Sequence, residues 1–281
     1  MSRKSTLSRV RAGIAAVAIA AFALTGCAPA DTAATDESAF TTITPGKLTI
    51  GTGLPAYEPW VVGDAPESGE GFEAAVAYAI AAELGFAAED VVWVRTTFEA
   101  AIAPGAKNFD FNLQQYTITD ERKENVDFSE PYYVTTQTVI TIEGAGAENA
   151  ATLADLADLL VGAASATTSF TAIEEIIKPS AGAQAFNSND DAKAALAAGQ
   201  IDALVVDLPT ALYLTCCELE GGKILGQLEG AEGGDSFGLV LDKGSALTAA
   251  VNAAIKTLRD NGKLAELEKK WLTDTSAPVL K

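Results

Sequence analysis

Histidine is absent from the 281-residue sequence, which also holds only three cysteines and one methionine. Without histidine, the chain cannot form a Ser-His-Asp or Cys-His nucleophile system, and it cannot bind a metal through imidazole. Three cysteines are too few for a disulfide scaffold. We therefore expect no catalytic residue, no metal and no cofactor, and we do not expect an enzyme.

Basic residues are scarce as well, with 19 Lys and Arg against 38 Asp and Glu and a formal net charge of −19. A surface this acidic repels phosphate backbones, so we expect no nucleic acid partner. The charge favours solubility but selects no particular ligand. Nothing in the composition requires an oligomer, and we expect a monomer.

Long apolar segments are also missing, because the apolar run over residues 14–24 is too short to cross a bilayer as a helix. Basic residues precede it and Leu24-Thr25-Gly26-Cys27 follows, a pattern that resembles a bacterial lipoprotein signal peptide with its lipobox. We expect residues 1–26 to be removed and Cys27 to become the lipid-bearing first residue. The alternative is an uncleaved anchor with an incidental cysteine.

Residues 27–45 are rich in Ala, Thr, Asp and Pro and contain a single aromatic, Phe40. Such a composition cannot build a core, so it predicts a flexible tether. Two or more acyl chains hold a protein stably to a membrane, where one chain does so only marginally. We therefore expect the protein to be anchored through Cys27 at the extracytoplasmic face of the cell membrane.

Beyond the tether, strand-like and helix-like patterns alternate, which predicts an α/β fold. Glycine and proline separate many of these segments. The predicted strands cover residues 48–52, 91–94, 109–113, 138–142, 161–164, 183–186, 201–206 and 237–241, and the predicted helices cover residues 72–84, 98–103, 153–160, 170–177, 190–198, 246–260 and 264–271.

The turn after the third predicted strand carries groups that suit a carboxylate. Thr119 is a good helix N-cap, so backbone N–H groups face the strand end, and Arg122 stands beside them. Arginine meets a carboxylate with two parallel hydrogen bonds, and Thr117 adds a hydroxyl at the same turn. The alternative is a capped surface helix with a solvated arginine.

Two further turns follow strands of the second half. Asp207 ends an apolar strand and precedes Leu208-Pro209, where a helix begins, so its carboxylate suits an ammonium at the sheet edge. It could instead be a helix N-cap. Thr167 and Thr168 lie in the small-residue turn at residues 165–169, which could present N–H groups to an anion.

Taken together, these turns fit a free amino acid, whose carboxylate and ammonium each need a partner once they leave water. Arg122, Thr117 and Thr168 would bind the carboxylate. Asp207 and the carbonyl of Gln115 would bind the ammonium. The aromatic residues Tyr57, Trp60 and Phe98 would line the pocket for the ligand's side chain.

Several segments resemble bacterial extracellular solute-binding proteins for polar amino acids. The strongest match is ITDER at residues 118–122, followed by VDFSEPYY at residues 126–133. Weaker matches are IGT at residues 50–52, GFE at residues 71–73 and GQIDA at residues 199–203 before Asp207. The resemblance covers nearly all of the chain after the tether.

The resemblance implies a two-lobed fold, each lobe a central, mostly parallel sheet flanked by helices, with hinges near residues 133–138 and 234–238. The lobes would comprise residues 46–136 plus 235–275 and residues 137–234, with residues 276–281 as a tail. It also implies that Arg122, Thr117 and Thr168 grip the ligand's carboxylate and Asp207 its ammonium. Lobe closure would then present the loaded protein to an ABC permease in the membrane.

Two departures from the family pattern bear on the ligand. Ala75 stands where relatives usually carry a second acid, and residues 53–55 hold no acid where relatives that bind basic side chains often have one. Lysine and arginine are therefore less favoured ligands. Glu73 remains as a contact for a basic or amide side chain, or as a helix N-terminal charge.

Two other functions stay open at this point. The chain could sense an amino acid for a membrane signalling partner, or it could be a carboxylate-based dehydratase, because some dehydratases share the implied fold. The neighbouring residues Cys216 and Cys217 are expected to be two thiols near a helix end rather than a strained vicinal disulfide.

Overall fold

A computed structural model describes residues 40–229, 234–272 and 276–281 of the chain. The predicted signal peptide, Cys27 and most of the predicted tether lie outside these residues. All of the described residues belong to one compact unit, Ser38–Lys281. In the described part of the chain, no helix is long and apolar enough to span a membrane.

The described strands form two five-stranded sheets and one two-stranded ribbon. The strands are Leu48–Gly53 (β1), Val91–Thr96 (β2), Phe111–Asn112 (β3), Asp127–Phe128 (β4), Tyr133–Thr135 (β5), Gln137–Ile142 (β6), Val161–Ala164 (β7), Gln184–Phe186 (β8), Ala203–Asp207 (β9), Gly222–Gln227 (β10), Asp235–Phe237 (β11) and Val240–Leu241 (β12). The first sheet has the order β2-β1-β3-β12-β4, and the second has the order β10-β6-β9-β7-β8.

Helices cover the faces of both sheets. They are Phe72–Glu83 (α1), Phe98–Ile102 (α2), Asp120–Asn125 (α3), Thr168–Ala172 (α4), Asn189–Ala197 (α5), Leu208–Tyr213 (α6), Thr248–Asp260 (α7) and Lys263–Trp271 (α8). One apolar core joins the first sheet to α1, α7 and α8, and two others lie on the faces of the second sheet. The two-lobed α/β architecture expected from the sequence is confirmed.

Each sheet is parallel on one side and antiparallel on the other, so neither is mostly parallel as expected. In the first sheet β1 pairs in parallel with β2 and β3, whereas β12 pairs antiparallel with β3 and β4. In the second sheet β7 pairs in parallel with β8 and β9, whereas β6 pairs antiparallel with β9 and β10. The antiparallel pairs involve β6 and β12, the strands that follow the crossings between the sheets.

The ribbon of β5 and β11 carries the chain between the two sheets. Its strands pair antiparallel, with Asp235 opposite Thr135. β6 begins directly after β5, and its first residue, Gln137, pairs with Asp207 at the end of β9. The segment that crosses between the sheets therefore enters the second sheet beside Asp207, at the edge where Asp207 was expected to bind a ligand.

The last residues of the chain return to the second sheet. Val279 forms a parallel bridge with Gln227, and Leu280 is buried in a core of that sheet. The backbone N–H of Leu153 donates to the carbonyl of Lys281 at 3.0 Å. The end of the chain thus stabilises the second lobe, although α8 packs on the first.

Several predicted elements differ from the observed ones. The strand expected over residues 237–241 is divided between the end of β11 and β12. Gly238, between them, passes so close to Ile118 that a Cβ there would lie 2.9 Å from the Ile118 side chain. The helix expected over residues 153–160 is only a 3-10 turn at Leu153–Leu156. The helix expected over residues 170–177 ends as the π-helical turn Ile173–Ile177.

The expectation of two thiols at Cys216 and Cys217 was wrong, because the structure joins them in a disulfide bond. Both lie in the π-helical turn Leu214–Glu218, which follows α6. The spacing of two adjacent cysteines did not by itself distinguish thiols from a bridge, since either form fits a turn.

Candidate functional site

A cleft of about 100 Å³ lies where the two lobes meet. Its wall on the first lobe comes from the loop after β1, from the start of α2 and from the turn after β3, and its wall on the second lobe comes from the turns after β7, β8 and β9. The lining residues are Leu54, Pro55, Tyr57, Thr97, Phe98, Gln114, Gln115, Ala164, Ser165, Thr167, Thr168, Ser169, Asn187, Ser188, Asn189 and Asp207.

Arg122 is buried beside this cleft rather than solvated on a surface helix. Its backbone N–H is capped by the Thr119 hydroxyl at 3.2 Å, as the sequence predicted. Its guanidinium donates to the carbonyl of Thr117 at 2.7 Å and, across the two lobes, to that of Ala166 at 2.8 Å. These bonds use two of the five guanidinium donors. Burial lowers the pKa of Arg122, and the guanidinium lies 5.2 Å from the ring centre of Phe98.

The threonines expected at the carboxylate end come together from opposite lobes. The hydroxyl oxygens of Thr117 and Thr168 are 3.2 Å apart. Thr167 instead uses its hydroxyl as a helix cap: the oxygen accepts from Phe170 N–H at 3.1 Å, and the hydroxyl donates to the carbonyl of Ala164 at 2.6 Å. Thr167 therefore lines the cleft with its hydroxyl proton already used.

Asp207 occupies the N-cap position of α6, yet its side chain makes no capping hydrogen bond. It lines the cleft instead, and its Oδ1 accepts from the Gln137 side-chain amide at 2.9 Å. Burial, and next the negative charge of Asp235, raises the pKa of Asp207 to about 8. The carboxyl is partly accessible from the cleft, but the lobes enclose it, so water stabilises its charge poorly.

Sequence reasoning missed Gln137 and Asp235, which complete the set of polar side chains around Asp207. The Gln137 amide also donates to an oxygen of Asp235, which in turn accepts from the Thr168 hydroxyl at 2.9 Å. The Gln137 carbonyl oxygen accepts from the Ser169 hydroxyl at 2.6 Å. Both residues lie in the segments that the family resemblance identified as hinges, and that was the only signal for them in the sequence.

Glu73 does not line the cleft, contrary to its expected contact with a ligand side chain. It is 1% exposed, and its carboxylate accepts from the backbone N–H of Gln115 at 2.8 Å, from the Gln115 side-chain amide and from the Tyr132 hydroxyl. Burial raises the pKa of Glu73 to about 7. Its role is to hold Gln115, which lines the cleft with φ of 52°.

Two of the three expected aromatic residues line the cleft. Tyr57 and Phe98 do so, whereas Trp60 is 1% exposed and packs in the first core against Phe72 and Phe237. The placement of Trp60 in the cleft was therefore incorrect, because the proline-rich loop turns its side chain inward. Its indole N–H donates to the Thr210 hydroxyl of the second lobe at 2.9 Å.

Among the described residues, no group of three or more Cys, Asp or Glu side chains is arranged to hold a metal ion. The cleft offers hydroxyls, amides and one carboxylate, with a buried guanidinium behind them. These groups are chemically suited to a small polar molecule that carries both signs of charge.

Comparisons with known proteins agree with this geometry. Residues 48–274 match the family described as bacterial extracellular solute-binding proteins, family 3. An L-arginine-binding protein of Pseudomonas aeruginosa is 31% identical over 226 residues, which cover 78% of this chain and 85% of that protein. The ABC transporter glutamine-binding protein of Bacillus subtilis is 30% identical over 217 residues, which cover 75% and 77%.

Solved structures give the same result. An ancestral arginine-binding protein bound to glutamine is 28% identical with a TM-score of 0.69, and the match covers 82% of this chain and all of that one (100%). An arginine-, lysine-, histidine-binding protein from Geobacillus stearothermophilus is 25% identical with a TM-score of 0.68, over 82% of this chain and 96% of that one. The chain therefore belongs to family 3 of the bacterial extracellular solute-binding proteins.

Proposed function

We propose that the protein is an extracytoplasmic lipoprotein that captures a polar amino acid by lobe closure and delivers it to an ABC importer. The observation that carries this proposal is a buried Arg122 on one lobe, beside the cleft, and Asp207 in the cleft wall of the other lobe. An α-amino acid brings a carboxylate for the arginine and an ammonium for the aspartate. We infer binding rather than catalysis.

At the carboxylate end, Arg122 keeps three N–H donors beyond those bonded to Thr117 and Ala166. Thr117 and Thr168 lie beside it, and the Thr168 backbone adds an N–H at the start of α4. At the other end Asp207 and the carbonyl of Gln115 receive the ammonium. Both ends are desolvated by the closed lobes, which strengthens each charged contact.

The rest of the cleft favours a neutral polar ligand side chain. Among the described lining residues, Asp207 is the one charged side chain, and the other polar ones are amides and hydroxyls such as Gln114, Asn187 and Asn189. A charged side chain would lie there without a partner of opposite charge. We therefore place glutamine and related neutral polar amino acids ahead of lysine, arginine and glutamate.

Contacts between the lobes support a closed form that encloses the ligand. Trp60 bonds Thr210, Arg122 bonds Ala166, and the Ser165 hydroxyl donates to Glu99 at 2.8 Å. We propose that residues 46–136 plus 235–275 move against residues 137–234 about the β5–β11 ribbon. Removal of residues 1–26 and lipid on Cys27 would keep this unit at the membrane, near its permease.

The test is a thermal-shift panel of the twenty L-amino acids on the chain from residue 28, refolded to remove bound ligand. A ligand that binds only the native state raises the melting temperature, so one or two amino acids should stand out. Arg122→Ala should abolish the shift, with a loss of affinity of at least about 100-fold, because a buried carboxylate loses its partner.

Arg259→Ala is the matched control, because Arg259 is exposed and bonds only the Pro131 carbonyl in the described part of the chain. It should leave the shift unchanged. Binding by Arg122→Ala within tenfold of the unchanged protein would overturn the proposed site, and a panel without any shift would overturn the proposed ligand class.

A further inference from the structure

Asp235 is a hinge residue that contacts the binding groups without lining the cleft. It begins β11, opposite Thr135 of β5, in the ribbon that joins the lobes. Asp235 and Gln137 line a neighbouring cavity, which shares Thr168 with the cleft. The family resemblance places Asp235 in a hinge segment but gives it no part in ligand binding.

One amide connects Asp235 with Asp207. The Gln137 NH₂ group has two hydrogens but three acceptors: Asp207 at 2.9 Å, the Thr168 hydroxyl at 3.3 Å, and Asp235. The Gln137 carbonyl is fixed by Ser169, so the amide cannot reverse without losing that bond. The acceptors around the Gln137 amide thus outnumber the two hydrogens that it supplies, and a ligand ammonium would supply three more hydrogens.

The charges that face Asp207 show the same excess of one sign. They are the carboxylates Asp235 on β11 and Glu73 on α1, and the guanidinium Arg122 on α3; the tyrosines Tyr132 and Tyr133 are the other titratable groups near it. Arg122 is already bonded to two carbonyls. Asp207 and Asp235, which share the Gln137 amide, therefore have too little positive charge near them to balance their two negative charges.

We propose that Asp235 is a positioning residue for the ammonium subsite: it holds Gln137 and Thr168 in place, and its charge makes ionised Asp207 depend on a cationic ligand group. The inference rests on the proposed function. The negative charge of Asp235 contributes to the raised pKa of Asp207. Without a ligand, Asp207 keeps its proton near neutral pH, and an arriving ammonium displaces that proton.

Substitution by asparagine separates the two parts of this role. Asp235→Asn keeps an oxygen that accepts from Gln137 and Thr168 but removes the charge, whereas Asp235→Ala removes both. Glu175→Gln is the matched control, because Glu175 lines the same neighbouring cavity and is exposed. Should the asparagine variant melt early, Asp235→Ser offers a smaller side chain that still accepts a hydrogen bond.

The first measurement needs no ligand. Carboxyl ¹³C NMR of the ligand-free protein, with Asp207→Asn to assign the signal, gives the titration midpoint of Asp207. We expect it to fall by at least about one pH unit in Asp235→Asn and by less than about 0.3 in Glu175→Gln. An unmoved midpoint in Asp235→Asn would overturn the proposal and leave Asp235 as a purely structural contact.

The second measurement is the pH profile of affinity for L-glutamine, or for the panel member with the largest thermal shift if that is another amino acid. Affinity should rise with pH until Asp207 is ionised in the free protein and then level off. In Asp235→Asn it should level off at least about one pH unit lower. An identical profile would contradict the proposal. A panel without binding would instead contradict the proposed function, since the NMR result does not depend on it.

Discussion

Glu73 and Asp207 are both carboxylates enclosed by protein with raised pKa values, yet their surroundings differ in kind. Three donors serve Glu73, two from Gln115 and one from Tyr132. Asp207 receives one bond, from an amide that it shares with Asp235. Glu73 is fully buried and Asp207 is partly accessible from the cleft, but only Glu73 has its hydrogen-bonding capacity filled by the protein.

Under the proposed function, this difference separates an acid that stabilises the fold from an acid that binds the ligand. A buried polar group is stable when its partners are supplied within the fold, as for Glu73. A carboxylate with spare lone pairs at a cleft wall is stable only when protonated or when a ligand supplies donors. Raised pKa alone would have selected both residues as candidate sites, and the count of donors separates them.

The largest expected effect is on the pH dependence of the ligand-free protein. Both pKa values are raised, to about 7 for Glu73 and about 8 for Asp207, so the native state keeps protons that the unfolded chain loses above pH 4. The unfolding free energy should therefore fall as pH rises from 4 to 8, by as much as about 8 kcal/mol. Urea unfolding at a series of pH values measures it.

The double variant Glu73→Gln, Asp207→Asn should flatten this decline. The control is Asp120→Asn with Glu124→Gln, two exposed acids on α3, which should leave it unchanged. A ligand-free stability that rises over this range would mean that neither acid is protonated in the native state, and the comparison between them would fail.

Asp207→Asn should have the next largest effect, and on binding rather than on folding. The ligand ammonium would lose its charged partner while remaining desolvated, a loss of about 3 kcal/mol or roughly 100-fold in affinity. The ligand-free protein should be at least as stable at pH 7, since folding no longer requires the carboxyl at position 207 to take up a proton. Calorimetric titration together with urea unfolding tests both statements. Unchanged affinity would remove Asp207 from the proposed binding site.

The sequence predicted the fold class and the turn at Arg122 well, because both depend on local chemistry. Alternating periods indicate strands and helices, and Thr119 followed by Arg122 is a local capping pattern that the structure confirms. The shift from expected helix to 3-10 turn at Leu153–Leu156 is a boundary effect of the same local rules.

Gln137, Asp235 and the interior position of Trp60 could not be predicted, because they depend on contacts between distant parts of the chain. The bond from Gln137 to Asp235 joins residues 98 positions apart, and the one from Trp60 to Thr210 joins residues 150 apart. No periodicity or spacing encodes such pairs. Glu73 shows the same limit, since its acidic character suggested a ligand contact and only its three donors revealed a structural role.

Glu73→Gln should have the smallest effect and so gives the sharpest comparison with Asp207→Asn, because both replace an acid by its amide. The amide oxygen can still accept from the Gln115 backbone and the Tyr132 hydroxyl, and the Gln115 side chain can turn to offer its own oxygen. We expect a stability loss of about 1 kcal/mol at pH 4, where Glu73 is mostly protonated in both the native and the unfolded chain, and an affinity within about twofold. Urea unfolding and calorimetric titration measure the two quantities. A loss of affinity as large as that of Asp207→Asn would place Glu73 in the binding site, and donor count would no longer distinguish the two acids.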